Sequence, residues 1–382
     1  MSQDVKKSKV LIVDDTPENI QVLMGTLKDR YAIVAAINGE KALKLALTKP
    51  QPDIILLDIM MPGMDGFEVC RRLKADPQTC EIPVIFLSAL DDTTNKVKGF
   101  AEGAVDYISK PFQPEEVHIR VNTHLNMSLL NREVQHQREQ LETELKTVSE
   151  LQFGLLPGGL PEIKAAKLAV HYETCRYAGG DYYDVVELPD GCYGFLVADA
   201  EGHSAPAAVM MAMTCALFRS CRQLHAQPEM VIDFINRELG NVNSRESFVT
   251  AVYAVYDTVS RRIRIARAGH PLPILFRPAE GKAHDLTCEG VFMMGLVPYK
   301  NVPVTEISLY PGDRLLFYTD GITERFNANN GIYGEERLCR MMEQPNVDSP
   351  PVLLDSILHD LADFAGDRQA DDDQAMLLLM PE

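Results

Sequence analysis

The sequence predicts an α/β protein in which two differently built domains are joined by a helix. Residues 1–115 alternate short apolar runs with amphipathic segments, a pattern typical of a doubly wound parallel sheet with helices on both faces. Residues 116–156 lack glycine and proline as far as Phe153 and are rich in Glu, Gln, Leu and Lys, which favours a helical linker. Residues 157–382 contain apolar runs in antiparallel pairs with helical segments between them, which indicates an α/β sandwich of antiparallel sheets.

Composition excludes several classes of function. The 55 acidic residues outnumber the 37 basic ones and give a net charge of −18, which argues against nucleic acid as a partner. The longest apolar run, residues 205–218, contains Pro206 and Thr214 and is too short for a membrane span, and no apolar segment follows the first residues. The eight cysteines form no CxxC pair, as expected of reduced thiols. We therefore expect a soluble, cytoplasmic protein with no membrane or nucleic-acid partner.

Chemically distinctive side chains follow four apolar runs in the first domain. They are Asp14 and Asp15 after the first run, Asp58 after the second, Ser88 after the third and Lys110 after the fourth. Ligands of doubly wound sheets bind at the carboxyl ends of the strands, where these side chains are predicted to lie. Carboxylates suit Mg²⁺, Lys110 would neutralise a phosphoryl group, and Asp58 would be the nucleophile that accepts it. Each acid alone has an alternative role as a turn or cap residue, but the set predicts a phosphoryl-transfer site.

This constellation resembles the receiver domain of two-component response regulators. The matching stretches are Val13-Asp14-Asp15, residues 57–66, Ser88-Ala89 and Ser109-Lys110-Pro111-Phe112. The resemblance implies that Asp58 is the phosphoacceptor and that a histidine kinase or another phosphodonor is a partner. It also implies a Mg²⁺ ion held by Asp14, Asp15, Asp58 and the backbone carbonyl of Met60.

The same resemblance assigns a switch to this domain. Ser88 and Tyr107 occupy the positions of the family's switch pair, in which the hydroxyl turns toward the aspartyl phosphate and the aromatic ring follows inward. Lys110 completes the site, and the Lys110–Pro111 peptide bond is expected to be cis.

The linker carries an imperfect heptad repeat. Its apolar seam residues are Leu130, Val134, Leu141, Val148 and Leu151. Gln137 and Glu144 interrupt the second seam, so a weak coiled coil and a surface helix remain equal alternatives. A homodimer through this helix is therefore one prediction. Our hypothesis is that the helix carries a signal from the first domain to the second.

Four acids with glycine nearby stand at the ends of apolar runs in the second domain. They are Asp181, Asp199, Asp320 and Asp372. If they converge, each pair of charges ~4 Å apart repels by about 4 kcal/mol at an effective dielectric of 20, so cations are needed. An all-carboxylate set suits Mg²⁺ or Mn²⁺ better than Zn²⁺. Two such ions generate hydroxide and clamp a phosphoryl group, which predicts phosphoester hydrolysis. The alternative is four unrelated turn acids.

These acids lie in motifs that resemble the metal-dependent PPM-type Ser/Thr protein phosphatases of the SpoIIE-like branch. The matching stretches are residues 179–184, 199–203, 205–208, 268–271, 318–324 and 372–373, with residues 151–157 fitting the family's entry helix. The resemblance makes Asp181, Asp199, Asp320 and Asp372 the catalytic ligands of two Mg²⁺ or Mn²⁺ ions and adds the carbonyl of Ala200. It places Asp184 and Asp373 behind those ligands.

Two departures from the family pattern leave every implied ligand in place. Gln374-Ala375 stands where the family often has threonine after its last acid pair, and Ser204 follows His203 where glycine is common. The roles of His203 and His270 stay open between acid catalysis and the ordering of loop backbone.

Together these features predict a response regulator whose phosphorylation at Asp58 controls a metal-dependent protein Ser/Thr phosphatase. The resemblance implies a phosphorylated anti-sigma-factor antagonist as its substrate. The alternative is a phosphorylation-controlled adaptor, a pseudophosphatase that binds a sigma factor or its regulator without catalysis.

Overall fold

The computed structural model describes residues 7–89, 99–175, 178–202, 205–242, 247–345 and 347–382. The chain divides into two compact units, Met1–Gln140 and Leu141–Glu382. None of the helices in the described ranges combines the length and the hydropathy that crossing a bilayer requires.

The first unit contains the predicted parallel sheet, with five strands in the order β2-β1-β3-β4-β5. The strands are β1 (Lys9–Val13), β2 (Ala32–Ala36), β3 (Ile54–Asp58), β4 (Val84–Ala89) and β5 (Asp106–Lys110). The connecting helices are α1 (Pro17–Leu27), α2 (Gly39–Leu47) and α3 (Gly66–Ala75). This order has a switch point between β1 and β3, where doubly wound sheets bind ligands.

Both faces of this sheet are covered. Leu11 and Leu57 enter the core on one face, whereas Ile12 and Leu56 enter the core on the other. Every residue of β3 is buried, which explains why this strand is a continuous apolar run and shows no alternation.

A 40-residue helix, α4 (Pro114–Phe153), follows this sheet. Its first turns belong to the first unit, because Val117, Val121 and Leu125 are buried in the same core as β1 and β3. Further along, the predicted seam is open to solvent: the side chains exposed by more than half are Leu130, Val134, Leu141 and Leu151. The helical linker is thus present, while its pairing with a second copy stays a prediction.

The second unit is the predicted sandwich of two antiparallel five-stranded sheets, β13-β10-β9-β8-β7 and β12-β11-β14-β15-β6. The strands of the first are β7 (Asp181–Glu187), β8 (Cys192–Ala200), β9 (Val249–Asp257), β10 (Arg262–Ala268) and β13 (Thr305–Ser308). Those of the second are β6 (Ala166–Glu173), β11 (Ile274–Arg277), β12 (Lys282–Asp285), β14 (Arg314–Tyr318) and β15 (Gln374–Pro381).

Side chains from both sheets fill the space between them, among them Phe195, Ile265, Phe317 and Leu377. Helices cover the outer faces. Against the first sheet lie α5 (Ala205–Ser220) and α6 (Pro228–Val242), and against the second lie α8 (Glu335–Met342) and α9 (Pro350–Ala365). The short helix α7 (Asp320–Thr323) follows β14, and only Thr319 lies between them.

One strand differs from its sequence prediction. The apolar run of residues 185–188 predicts a strand that begins at Val185, but β7 begins at Asp181. Pro189-Asp190-Gly191 is a hairpin signal, and a hairpin joins β7 to β8 there, with Asp190 and Gly191 in the left-handed region at φ 61° and 75°. The early start matters because it puts Asp181 inside the sheet, directly opposite Asp199.

Candidate functional sites

Three acids meet at the carboxyl ends of β1 and β3. One ligand atom from each of Asp14, Asp15 and Asp58 lies within 4.8 Å of those of the other two. The Nζ atom of Lys110 lies 2.8 Å from Asp14 Oδ2 and 2.9 Å from Asp58 Oδ1. Asn19 also donates its Nδ2 hydrogens to both oxygens of Asp14 at 3.0 Å. The sequence-predicted carboxylates and the lysine are therefore brought together.

Burial and the lysine act in opposite directions on Asp58. Burial raises the pKa of its carboxyl group, and the hydrogen bond and charge of Lys110 work against that rise. Because only the ionised carboxylate is a nucleophile, Lys110 favours the reactive form of Asp58.

The predicted switch residues lie beside the same strand ends. Ser88 is buried, and its Oγ has no hydrogen-bond partner among the described residues. An unpaired buried hydroxyl costs about 1–3 kcal/mol, so a new acceptor at this point would be stabilising. Ser88 and Tyr107 line one small cavity together with Phe86 and Phe100.

The loop after β3 is tightly packed against Asp58. A Cβ atom at Gly66 would lie 2.2 Å from the carbonyl oxygen of Asp58. Met60 is 76% exposed, and its predicted role involves only its backbone carbonyl. The Lys110–Pro111 peptide is cis, as predicted.

The four acids of the second unit come from corresponding ends of both sheets. Asp181 begins β7 and is the register partner of Asp199 near the end of β8. In the other sheet, Asp320 follows β14 and Asp372 precedes its neighbour β15. Thr319 joins the sheets, because its Oγ1 donates to Asp181 Oδ2 at 2.7 Å.

The charges of these acids act on one another. Burial raises the pKa of Asp181, and the charge of Asp199 raises it further. Burial and then the charges of Asp320 and Asp372 raise the pKa of Asp199. Burial and Asp372 raise that of Asp320 to about 6. No three of these described carboxylates meet the 4.8 Å spacing of the first site. They form a looser acidic group whose members repel as predicted.

Backbone fits closely around this group. A Cβ atom at Gly180 would lie 2.3 Å from the carbonyl oxygen of Ala200. Asp373 fixes the incoming loop, since its Oδ2 accepts from Gly180 N at 2.7 Å and its Oδ1 from Cys175 N at 2.8 Å. Alternation along β7 puts Asp184 on the opposite face from Asp181.

The structure describes the surroundings of one of the two histidines. His270 is buried, and its Nδ1 lies 2.9 Å from Thr250 Oγ1. Burial lowers the pKa of His270 to about 3, which favours the neutral ring near neutral pH. His203 lies outside the described residues, as do Arg176, Tyr177 and Ser204.

Sequence reasoning missed a contact between the end of α4 and the acidic group. The buried Gln152 donates from Nε2 to Gly179 O at 2.8 Å and accepts from Gly179 N at 3.1 Å. Phe153 packs edge-on against Tyr172, whose hydroxyl donates to Asp181 O at 3.1 Å. A polar residue beside an aromatic one in the last helical turn was the available signal.

Gly180 provides a test of this geometry. We expect Gly180→Ala to lower the free energy of unfolding by about 1–3 kcal/mol, because the methyl group collides with the Ala200 carbonyl. Gly159→Ala is the matched control, since nothing lies within 4 Å of its Cβ position. Chemical denaturation of both variants measures the difference. Equal stability would contradict the close approach.

Comparison with known proteins agrees with this architecture. The chain matches the model of the Stage II sporulation protein E (SpoIIE) family over residues 189–381 and that of the response regulator receiver domain over residues 10–122. The response regulator PleD of Caulobacter vibrioides is 41% identical over 133 residues, which are 35% of this chain and 29% of PleD. The chain thus spans less than a third of that relative.

Two solved structures share the fold of the second unit. The SiaA-PP2C domain of Pseudomonas aeruginosa has a TM-score of 0.57 and 19% identity, covering 64% of this chain and 99% of that one. The PP2C phosphatase domain of Bacillus subtilis SpoIIE, solved with a fragment of its regulatory domain, has a TM-score of 0.50 and 17% identity, covering 58% and 64%. Since the SpoIIE match takes in half of the sequence, the chain belongs to the SpoIIE family, with a receiver domain preceding its SpoIIE domain.

Proposed function

We propose that this chain is a response regulator in which phosphorylation of Asp58 controls a metal-dependent protein Ser/Thr phosphatase. The observation that carries the proposal is the group of four carboxylates at corresponding ends of two sheets, joined by the bond from Thr319 to Asp181. Membership of the SpoIIE family and the PP2C fold support it.

In the receiver unit, Asp14, Asp15, Asp58 and the Met60 carbonyl would hold Mg²⁺. The donors are all hard oxygens, and those of Asp14, Asp15 and Asp58 lie within 4.8 Å of one another, which fits Mg²⁺. A carboxylate oxygen of Asp58 attacks the phosphorus of the phosphoryl group carried by a histidine kinase or another phosphodonor. The bond between that phosphorus and the donor breaks. Lys110 balances the added charge. The Ser88 hydroxyl, which has no partner in the described part of the chain, supplies a hydrogen bond to the new phosphoryl group. Tyr107 then fills the cavity beside Ser88.

In the phosphatase unit, Asp181, Asp199, Asp320, Asp372 and the Ala200 carbonyl would hold two Mg²⁺ or Mn²⁺ ions. The fit rests on an all-oxygen donor set, on carboxylates whose mutual repulsion calls for cations, and on the bare Gly180 beside the Ala200 carbonyl. When bound, such ions supply hydroxide and neutralise the phosphoryl group. Thr319 orients Asp181 by donating to it, and Asp373 holds the Gly180 backbone.

We further propose that the substrate is a phosphoserine or phosphothreonine on a small anti-sigma-factor antagonist. This assignment rests on the resemblance to the SpoIIE-like branch. The signal would reach the active site through α4, whose last turn is tied to the Gly179 backbone by Gln152. A coupling of about 1–3 kcal/mol is enough for a change in activity of roughly five- to hundredfold.

The enzyme proposal predicts that Asp199→Asn lowers the hydrolysis rate by about a hundredfold or more. Mutating a residue that only supports a metal ligand typically lowers metal affinity or activity by about 10–100-fold, and loss of the ligand itself costs more. The assay is Mn²⁺-dependent hydrolysis of a generic aryl phosphate by the full chain. Asp190→Asn is the matched control, since asparagine tolerates its left-handed turn position. If the unaltered protein has no turnover, with or without beryllofluoride, the non-catalytic adaptor replaces the enzyme.

The control proposal predicts that beryllofluoride, which mimics the aspartyl phosphate, changes the hydrolysis rate at least fivefold, in line with ordinary allosteric coupling. Asp58→Asn abolishes that response and leaves the basal rate, because the acceptor carboxylate is lost. The exposed Asp29→Asn serves as control and keeps the response. An active phosphatase that ignores beryllofluoride would show that the receiver does not control it.

We propose that α4 mediates a homodimer through its exposed seam. The double variant Val134→Asn with Leu141→Asn is expected to raise the dissociation constant of the dimer at least tenfold, because both seam positions become polar. Light scattering over a dilution series measures the shift, with Thr143→Asn as the control outside the seam. A monomer at every concentration of the unaltered chain contradicts the proposal.

A further inference from the structure

A buried polar network lies on the face of β7 opposite Asp181. Its centre is Asp184, whose side chain is 7% exposed. Asp184 Oδ2 accepts from the hydroxyl of Tyr182 at 2.5 Å, and Oδ1 accepts from Val185 N at 2.9 Å. Arg219, on α5, donates from Nε to Asp184 Oδ2 at 3.3 Å. This set satisfies a carboxylate that burial would otherwise destabilise.

The same arginine also binds the chain that leaves the long helix. Its Nη2 donates to the carbonyl oxygen of Leu155 at 2.6 Å. Leu155 lies two residues after the end of α4. Cys215, one turn earlier on α5, contacts the same carbonyl with its sulfur at 3.8 Å. One guanidinium group therefore joins the exit from α4 to the strand that begins with Asp181.

The geometry of a strand makes this connection consequential. Tyr182 and Asp184 point to one face of β7, and Asp181 points to the other. A shift of Asp184 therefore moves the backbone that carries Asp181. The planar guanidinium suits this task, since it donates to both acceptors in one fixed fork, which an ammonium group does not do.

We propose that Arg219 is a positioning residue that transmits the state of α4 to the Asp181 strand. The inference rests on the proposed function and deepens it. When the helix shifts, the Leu155 carbonyl moves, and Arg219 passes that displacement to Asp184 and thus to β7. Arg219 is not one of the proposed metal ligands.

The test compares full-length variants by two measurements. The first is the ratio of Mn²⁺-dependent hydrolysis with and without beryllofluoride. The second is hydrogen–deuterium exchange across residues 150–158 and 181–187, which needs no turnover. For Arg219→Ala we expect the rate ratio to fall to about one, and beryllofluoride to leave exchange at residues 181–187 unchanged. Arg222→Ala, an exposed arginine in the next turn, is expected to behave like the unaltered chain in both measurements.

A double variant separates transmission from simple neutralisation of a buried charge. Arg219→Ala with Asp184→Asn removes both the cation and the charge that it pairs with, and asparagine still accepts from Tyr182. Transmission through Arg219 predicts that the double variant stays unresponsive. A double variant that regains the full response would overturn the proposal, because charge pairing alone would then explain Arg219.

Results for the single Arg219 variants and for the unaltered chain also test the proposal. A full response in Arg219→Ala refutes the proposal. If Arg219→Ala does not fold, Arg219→Lys takes its place, because lysine keeps the charge but not the forked geometry. A full response of Arg219→Lys to beryllofluoride would also refute the proposal. If the unaltered chain hydrolyses the aryl phosphate but beryllofluoride changes neither the hydrolysis rate nor the hydrogen–deuterium exchange, transmission through Arg219 is refuted and the phosphatase proposal is not.

Discussion

Repulsion between buried carboxylates is the constraint around which both units of this chain are arranged. The receiver unit offsets part of it internally, because Lys110 binds Asp14 and Asp58 at the same time. In the phosphatase unit the charges that act most strongly on Asp181 and Asp199 come from other acids. Such an arrangement is costly unless cations are bound, which is the physical argument for the proposed metal site.

The sequence predicted the parts of the structure that depend on local pattern. In β3, four apolar residues followed by Asp58 specify both a doubly buried strand and the position of its terminal acid. The acids of the phosphatase unit were likewise marked by their place after apolar runs. What local pattern did not supply was the start of β7 at Asp181. Polar residues in that stretch are buried because Thr319, 138 residues away, and Arg219, 35 residues from Asp184, satisfy them. Neither partner is visible in a short window of sequence.

The long helix shows the same limit in another form. Its composition is uniform enough to predict helix along its whole length, but its surroundings change twice. Val117 and Val121 are buried in the receiver core, the seam at Val134 and Leu141 is exposed, and Gln152 is buried again beside Gly179. Composition alone does not distinguish these environments, because these residue types favour a helix whether it is buried or exposed. The functional end of the helix is consequently defined by one glutamine and not by its apolar repeat.

The strength of these end contacts matches what a switch requires. Two hydrogen bonds join Gln152 to Gly179, just before β7, and another joins Arg219 to Leu155, so the end of α4 is held to the backbone before β7 and to α5. Each contributes about 0.5–1.5 kcal/mol net, so together they equal or exceed the 1–3 kcal/mol of ordinary allosteric coupling. Losing one or two of them is sufficient to change activity by an order of magnitude. Under the proposed control by Asp58, a signal needs to disturb only the last turn of the helix, and the sandwich with its proposed metal ligands can stay folded.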